Sequence, residues 1–138
     1  MWFIDEHLGG VLRPGDKSKT PHREADLGFD YAEAERTIDF LRYEYHPERL
    51  MVFGSAAKHN ANRYSDLDVL MVVSDYEPLI PTKGSFGERS ASVLDDLDKN
   101  GYRMPVDIIV FTSSEFSEEM EYPSSFMKDI ASYWKQVA

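Results

Sequence analysis

The sequence contains no cysteine. Disulfide frameworks and thiolate zinc sites are therefore excluded. No apolar run approaches the ~20 residues needed to cross a bilayer as a helix. The apolar start Met1-Trp2-Phe3-Ile4 meets Asp5-Glu6 at once, too soon for a secretory leader, so the expected setting is the cytoplasm. The four histidines, His7, His22, His46 and His59, have no ligand-like spacing, and no Walker A loop, internal repeat or low-complexity segment is present. Positive charge is scarce as well. Fifteen Lys and Arg stand against twenty-five Asp and Glu, giving a formal net charge of −10. The basic residues are scattered, whereas a protein that grips a nucleic-acid backbone needs them clustered. DNA or long RNA is not the expected substrate.

What is present is the composition of one globular domain: 138 residues, 42% hydrophobic and 29% charged. Residues 1–28 read as an N-terminal extension, apolar over 1–12 (strand, hairpin or short helix) and loop-like over 13–26, with Pro14-Gly15 and Thr20-Pro21. Residues 29–138 read as the folded domain. Asp30 and Glu33 open a helix that carries Tyr31, Ala34, Ile38, Leu41 and Tyr45 on one face and stops at His46-Pro47. Residues 74–84 read as a loop with Pro78 and Pro81. Ser85 and Glu88 form a capping box for a second helix, with Phe86, Val93, Leu94 and Leu97 inward and Gly101 as its stop. Residues 105–112 read as a strand, with Val106, Ile108 and Val110 on one face and Asp107, Ile109 and Phe111 on the other. A short acidic helix with a solvated face follows, carrying Glu115, Glu118, Glu119 and Glu121. From Ser124 on, Phe126, Ile130, Tyr133, Trp134 and Val137 are spaced for a closing amphipathic helix whose stripe joins the core or meets a partner.

The stretch that organises the rest is Arg49 to Val73. Leu50 to Phe53 is a short apolar run, as a buried strand should be, and it ends at Gly54-Ser55. Gly54 permits a tight turn and a close approach by a ligand. Ser55 is suited to cap a helix begun by Ala56-Ala57-Lys58, whose free backbone N–H groups would face an anion. A second strand opens with Ser65-Asp66-Leu67-Asp68. Alternation puts Asp66 and Asp68 on one face, roughly 6–7 Å apart, with Leu70 and Val72 behind them and Leu67, Val69, Met71 and Val73 opposite. Two unpaired carboxylates side by side call for a cation, and hard oxygens suit Mg²⁺. A second Asp-x-Asp, at Asp96 and Asp98, lies on a helix where the two splay apart as solvated surface. Asp107 is the only charge in its strand, and a carboxylate there is either paired with Arg103 or another base, or bound to metal.

Residues 47–55, with Ala57, Lys58 and Ala61 and then Ser65-Asp66-Leu67-Asp68, resemble the minimal nucleotidyltransferases of the DNA polymerase β superfamily. The likeness runs from about Tyr31 to Thr112. Its pattern is an apolar strand, Gly-Ser, about ten residues, then Asp-x-Asp leading a strand. Two positions depart from it: Ala56 replaces a frequent larger residue, and His59 stands where Gly is common. The resemblance implies an α/β (α+β) nucleotidyltransferase fold, a small mixed sheet flanked by helices in αβαβαβα order. It makes Asp66, Asp68 and Asp107 the catalytic and metal-holding triad for two Mg²⁺ ions about 3.5–4 Å apart. Gly54, Ser55 and Ser65 fall in the nucleotide-binding segment. Lys58 and Arg63 are either phosphate contacts or solvent-exposed loop residues.

The implied reaction transfers NMP, with AMP expected, from an NTP to a hydroxyl and releases pyrophosphate. Standalone members of this size resemble antitoxins of toxin–antitoxin pairs that nucleotidylate a helical HEPN-type partner. Transfer to a small, aminoglycoside-like molecule, or a catalytically silent binding module, are the alternatives.

Overall fold

The computed structural model describes residues 28–138. The extension expected over residues 1–28 thus falls, Gly28 apart, outside the described residues. The elements are α1 (Tyr31–Tyr45), β1 (Arg49–Phe53), α2 (Gly54–Ala57), β2 (Leu67–Val73), α3 (Phe86–Lys99), β3 (Val106–Thr112), α4 (Ser113–Glu121), α5 (Ser125–Ala131) and β4 (Lys135–Gln136). The expected α/β class holds: four strands form one mixed sheet in the order β3-β2-β1-β4. β1 runs antiparallel to β2 and β4, and β2 runs parallel to β3.

The alternation seen in the strands sorts side chains onto two faces. Leu50, Val52, Leu67, Val69, Met71, Val73, Ile108 and Val110 join Ala34, Ile38, Leu41 and Tyr45 of α1, and Val93 and Leu97 of α3, in one core. Met51, Phe53, Leu70, Val72 and Phe111 pack on the other face with Phe116 of α4 and with Met127 and Ile130 of α5. Asp68 and Asp107, by the same alternation, belong to this second face, at its end.

The helix signals at Asp30, Ser85 and His46 act as read. The Asp30 carboxylate accepts from the Glu33 N–H at 2.9 Å, and Ser85 caps α3 the same way at 3.1 Å. α4 opens with a full capping box between Thr112 and Glu115. α1 stops where His46 turns left-handed, at φ 45°.

Three expectations are corrected. Phe86 and Leu94 are not inward: they are 47% and 38% exposed, and Arg89 takes the buried position with none of its surface exposed. It does so because each of its three guanidinium nitrogens finds an acceptor. Its Nε donates to the Val110 carbonyl, its Nη1 to those of Gly84 and Thr82, and its Nη2 to Glu115. Glu115 is accordingly an ion-pair partner rather than free solvated surface.

The closing helix also ends early, at Ala131. The chain turns through Ser132–Trp134 and adds β4 to the open edge of β1. The Val137 N–H donates to the Leu50 carbonyl at 2.7 Å, and the Leu50 N–H to Ala138 at 3.0 Å. Satisfying that edge outweighs one more helical turn. Phe126, of the stripe expected to join the core or meet a partner, is 50% exposed.

Candidate active site

β1 delivers the chain to Gly54 at the end of the sheet where β2 and β3 begin. The register places Phe53, Asp68 and Asp107 in one row across three strands: Phe53 faces Asp68 on the antiparallel side, and Asp68 faces Asp107 on the parallel side. The two carboxylates, 39 positions apart in the chain, are thus direct cross-strand neighbours, a spacing of about 4.8 Å between strand axes. Asp66 lies one residue before β2 and is exposed.

Crowding shows in the protonation of Asp68. Burial, then the charge of Asp107, then that of Asp66 push its carboxyl from 3.8 up to about 6. Neutralisation by Arg103 is not what Asp107 has: Arg103 pairs with Asp98 at 2.8 Å instead. Among the described residues Asp107 has no ion pair. Neither do these residues contain three carboxylate or imidazole groups gathered closely enough to enclose a metal ion as they stand. The arrangement is a row of hard oxygen donors with surplus negative charge, which suits a divalent cation chemically. Asp68 and Asp107 are the pair best placed to hold one.

Gly54 is irreplaceable on two counts. Its φ is +71°, and a Cβ there would lie 1.9 Å from Asp68 Oδ2. The glycine lets the Asp68 carboxylate lie against the turn. The following helix is a single turn, Gly54–Ala57, so Ser55 sits inside it rather than capping it, and the N-terminal flank at Phe53 has no side-chain cap. A long helix aimed at the site, as the sequence suggests, is therefore not built. The loop beyond it is folded tightly. The Asn60 N–H donates to the Ser55 carbonyl at 3.0 Å, and His59, where a glycine would be at ease, adopts φ 63°.

Of the other expected nucleotide contacts, Ser65 closes the loop, its Oγ accepting from the Asn62 N–H at 2.9 Å. Arg63 is exposed, with its guanidinium 5.0 Å from the centre of the Tyr64 ring. Lys58 does stand at the glycine corner, through a residue that sequence reasoning put in the core stripe. The Gly54 N–H donates to the Tyr133 hydroxyl at 3.0 Å, and Lys58 Nζ lies 4.5 Å from the centre of the same ring. Nothing local in the sequence signals this contact, which spans 79 positions.

Residues 34–133 match the model of the nucleotidyltransferase domain family. The chain belongs to that family. A candidate nucleotidyltransferase from Sulfolobus solfataricus, solved as a crystal structure, is 22% identical, with a TM-score of 0.42, and the match covers 63% of this chain and 70% of that one. No curated protein matches the chain. Membership carries nucleotide transfer as the general activity class. In the chain's own geometry, Gly54, Asp68 and Asp107 are brought together, Asp66, Ser55 and Lys58 border them, and Ser65 and Arg63 belong to the loop between the two strands.

Proposed function

We propose that this nucleotidyltransferase domain is an Mg²⁺-dependent enzyme that transfers NMP, with AMP as the expected group, from an NTP to a hydroxyl on a partner protein. The observation that supports this most is the in-register Asp68–Asp107 pair, short of positive charge and pressed against the Gly54 turn. Asp66, Asp68 and Asp107 would hold two Mg²⁺ ions, which when bound supply charge neutralisation and polarise the phosphates. Gly54 and Ser55 offer backbone N–H groups to phosphate oxygens, and Lys58 and Arg63 offer charge to the outer ones. Ser65 keeps the loop between them closed. The Asp107 carboxylate, the more exposed of the strand pair, takes the proton of the acceptor hydroxyl. A bond forms between the acceptor oxygen and the α-phosphorus. The bond from that phosphorus to the bridging oxygen breaks, and pyrophosphate leaves with the electron pair.

A protein acceptor is the reading that the exposed surface supports. Exposed aromatics such as Tyr64, Tyr76 and Tyr122 suit contact with a protein surface. A helical toxin of the HEPN type, with this chain as its antitoxin in a cytoplasmic pair, is the partner we favour.

The test is transfer of label from α-³²P nucleotides, with Mg²⁺, to the product of the adjacent gene. Wild type should label it and release pyrophosphate, and Asp68→Asn should reduce labelling at least 100-fold. Equal labelling by the variant would remove the carboxylate row from the reaction. A thermal shift with Mg²⁺–ATP that survives Asp68→Asn, or no shift at all, would favour a binding module without turnover.

A further inference from the structure

The Gly54 amide is held in place from both sides: Asp68 blocks any side chain at the residue, and the positive φ fixes the turn. An acceptor must therefore come to the N–H, and among the described residues the one that does is the phenol oxygen of Tyr133. The phenol is neutral, so it can lie beside the crowded carboxylates where a carboxylate acceptor would add repulsion. The same ring carries the Lys58 ammonium on its face. One aromatic side chain thus engages both a backbone donor and a cation that the nucleotide reading above assigns to phosphate.

Resting on that reading, we propose that Tyr133 is a placeholder. Its hydroxyl holds the position that a phosphate oxygen of the incoming nucleoside triphosphate takes, and nucleotide binding turns the ring away from Gly54 and releases Lys58 to the phosphates. A charged phosphate oxygen is the stronger acceptor, with roughly twice the hydrogen-bond strength of a neutral one. It prevails once cations screen the aspartates. The backbone around Tyr133 stays put. Lys135 and Gln136 are laddered to Val52 and Met51, and the Leu50 bonds to Val137 and Ala138 pin the segment further. The motion is a side-chain rotation, and the affinity of the site for polyphosphate is lowered by the bond that must be broken first.

The experiment is titration calorimetry of Mg²⁺–pyrophosphate and Mg²⁺–ATP against wild type and Tyr133→Phe, with adenosine as a ligand lacking phosphate. Removing the hydroxyl keeps the ring beneath Lys58 and frees the amide. Pyrophosphate and ATP should bind about 2- to 10-fold more tightly to the variant, the equivalent of one hydrogen bond no longer broken. Adenosine should not distinguish the two proteins. In wild type, amide ¹⁵N and aromatic ¹³C spectra should show the Gly54 amide and the Tyr133 ring shifting together on pyrophosphate addition, a readout that does not need the variant to fold. Equal or weaker polyphosphate binding by Tyr133→Phe, or a Tyr133 ring indifferent to pyrophosphate, overturns the placeholder. A wild type that binds neither ligand overturns the nucleotide reading itself.

Discussion

Asp68 is held at a cost to the folded chain. Its carboxyl gains a proton on folding anywhere between its unfolded value of 3.8 and its folded value of about 6. The fold is therefore most stable, as far as this group is concerned, below about pH 4, and loses stability as pH rises through that window. Two units would correspond to about 3 kcal/mol. Because Asp68 is only half-buried, solvent screening brings this to roughly 1–1.5 kcal/mol. Asp68→Asn should thus raise the metal-free melting temperature at pH 8 by ~3–6 °C, and the gain should vanish at pH 4. Differential scanning fluorimetry in EDTA at the two pH values reads this directly, and a destabilised variant at pH 8 would contradict the crowding. A substitution that stabilises the fold while removing transfer is the usual signature of a functional carboxylate. The part of this that the sequence showed was Asp68 and Asp107, each a charge inside an apolar strand pattern. Their mutual register could not be read, since parallel pairing of β2 with β3 leaves no local trace.

At the scale of elements, α3 does two jobs, one apolar and one polar. Val93 and Leu97 fill the core, as their spacing indicates. Arg89 and Ser90 close the free edge of the sheet: the Ser90 hydroxyl donates to the Ile108 carbonyl at 2.7 Å, and Arg89 Nε to that of Val110 at 3.0 Å. Among the described residues β3 is the last strand on its side, and carbonyls left open there would template pairing with another chain. Hydrophobic periodicity counts an arginine as surface, which is why this inward face was misread.

Arg89→Met leaves three carbonyls and Glu115 without their partner and should lower stability by about 3 kcal/mol, with Ser90→Ala costing about 1 kcal/mol. Urea unfolding measures both, and light scattering should show association of the arginine variant with rising concentration. If Arg89→Met melts like wild type, the buried guanidinium is not what ties α3 to β3 and α4. The α1 stop makes a milder case. His46 holds a left-handed φ of 45° that glycine adopts without strain. His46→Gly should gain ~0.5 kcal/mol, seen as a rise of a degree or two in melting temperature.

For the molecule as a whole, charge and topology decide what can approach the site. The two-sided packing of the sheet was legible, because alternation in β2 and β3 assigned each residue to a face. The C-terminal strand was not: Ile130, Tyr133, Trp134 and Val137 fit a helical spacing, and the edge that recruits them lies some 85 positions earlier. What the fold does not change is the shortage of positive charge. Arg36, Arg42, Arg89, Lys99 and Arg103 are each paired with a carboxylate, so folding gathers no patch from them.

In the proposed reaction a polyphosphate of charge about −4 would meet three carboxylates in a chain of net charge −10, a combination that calls for divalent cations between them. ATP binding should accordingly fall below detection in EDTA and return with millimolar Mg²⁺. Monovalent salt at the same ionic strength should not restore it, because screening acts over a Debye length of ~8 Å and cannot bridge oxygens in contact. Duplex DNA or RNA offers no compact chelating group, and its binding should stay weaker than ~100 μM at 150 mM salt, at the weak end of non-specific association. Calorimetry and gel shift separate the two cases: ATP binding that persists without divalent cations would mean that basic side chains, not the aspartate row, hold the nucleotide.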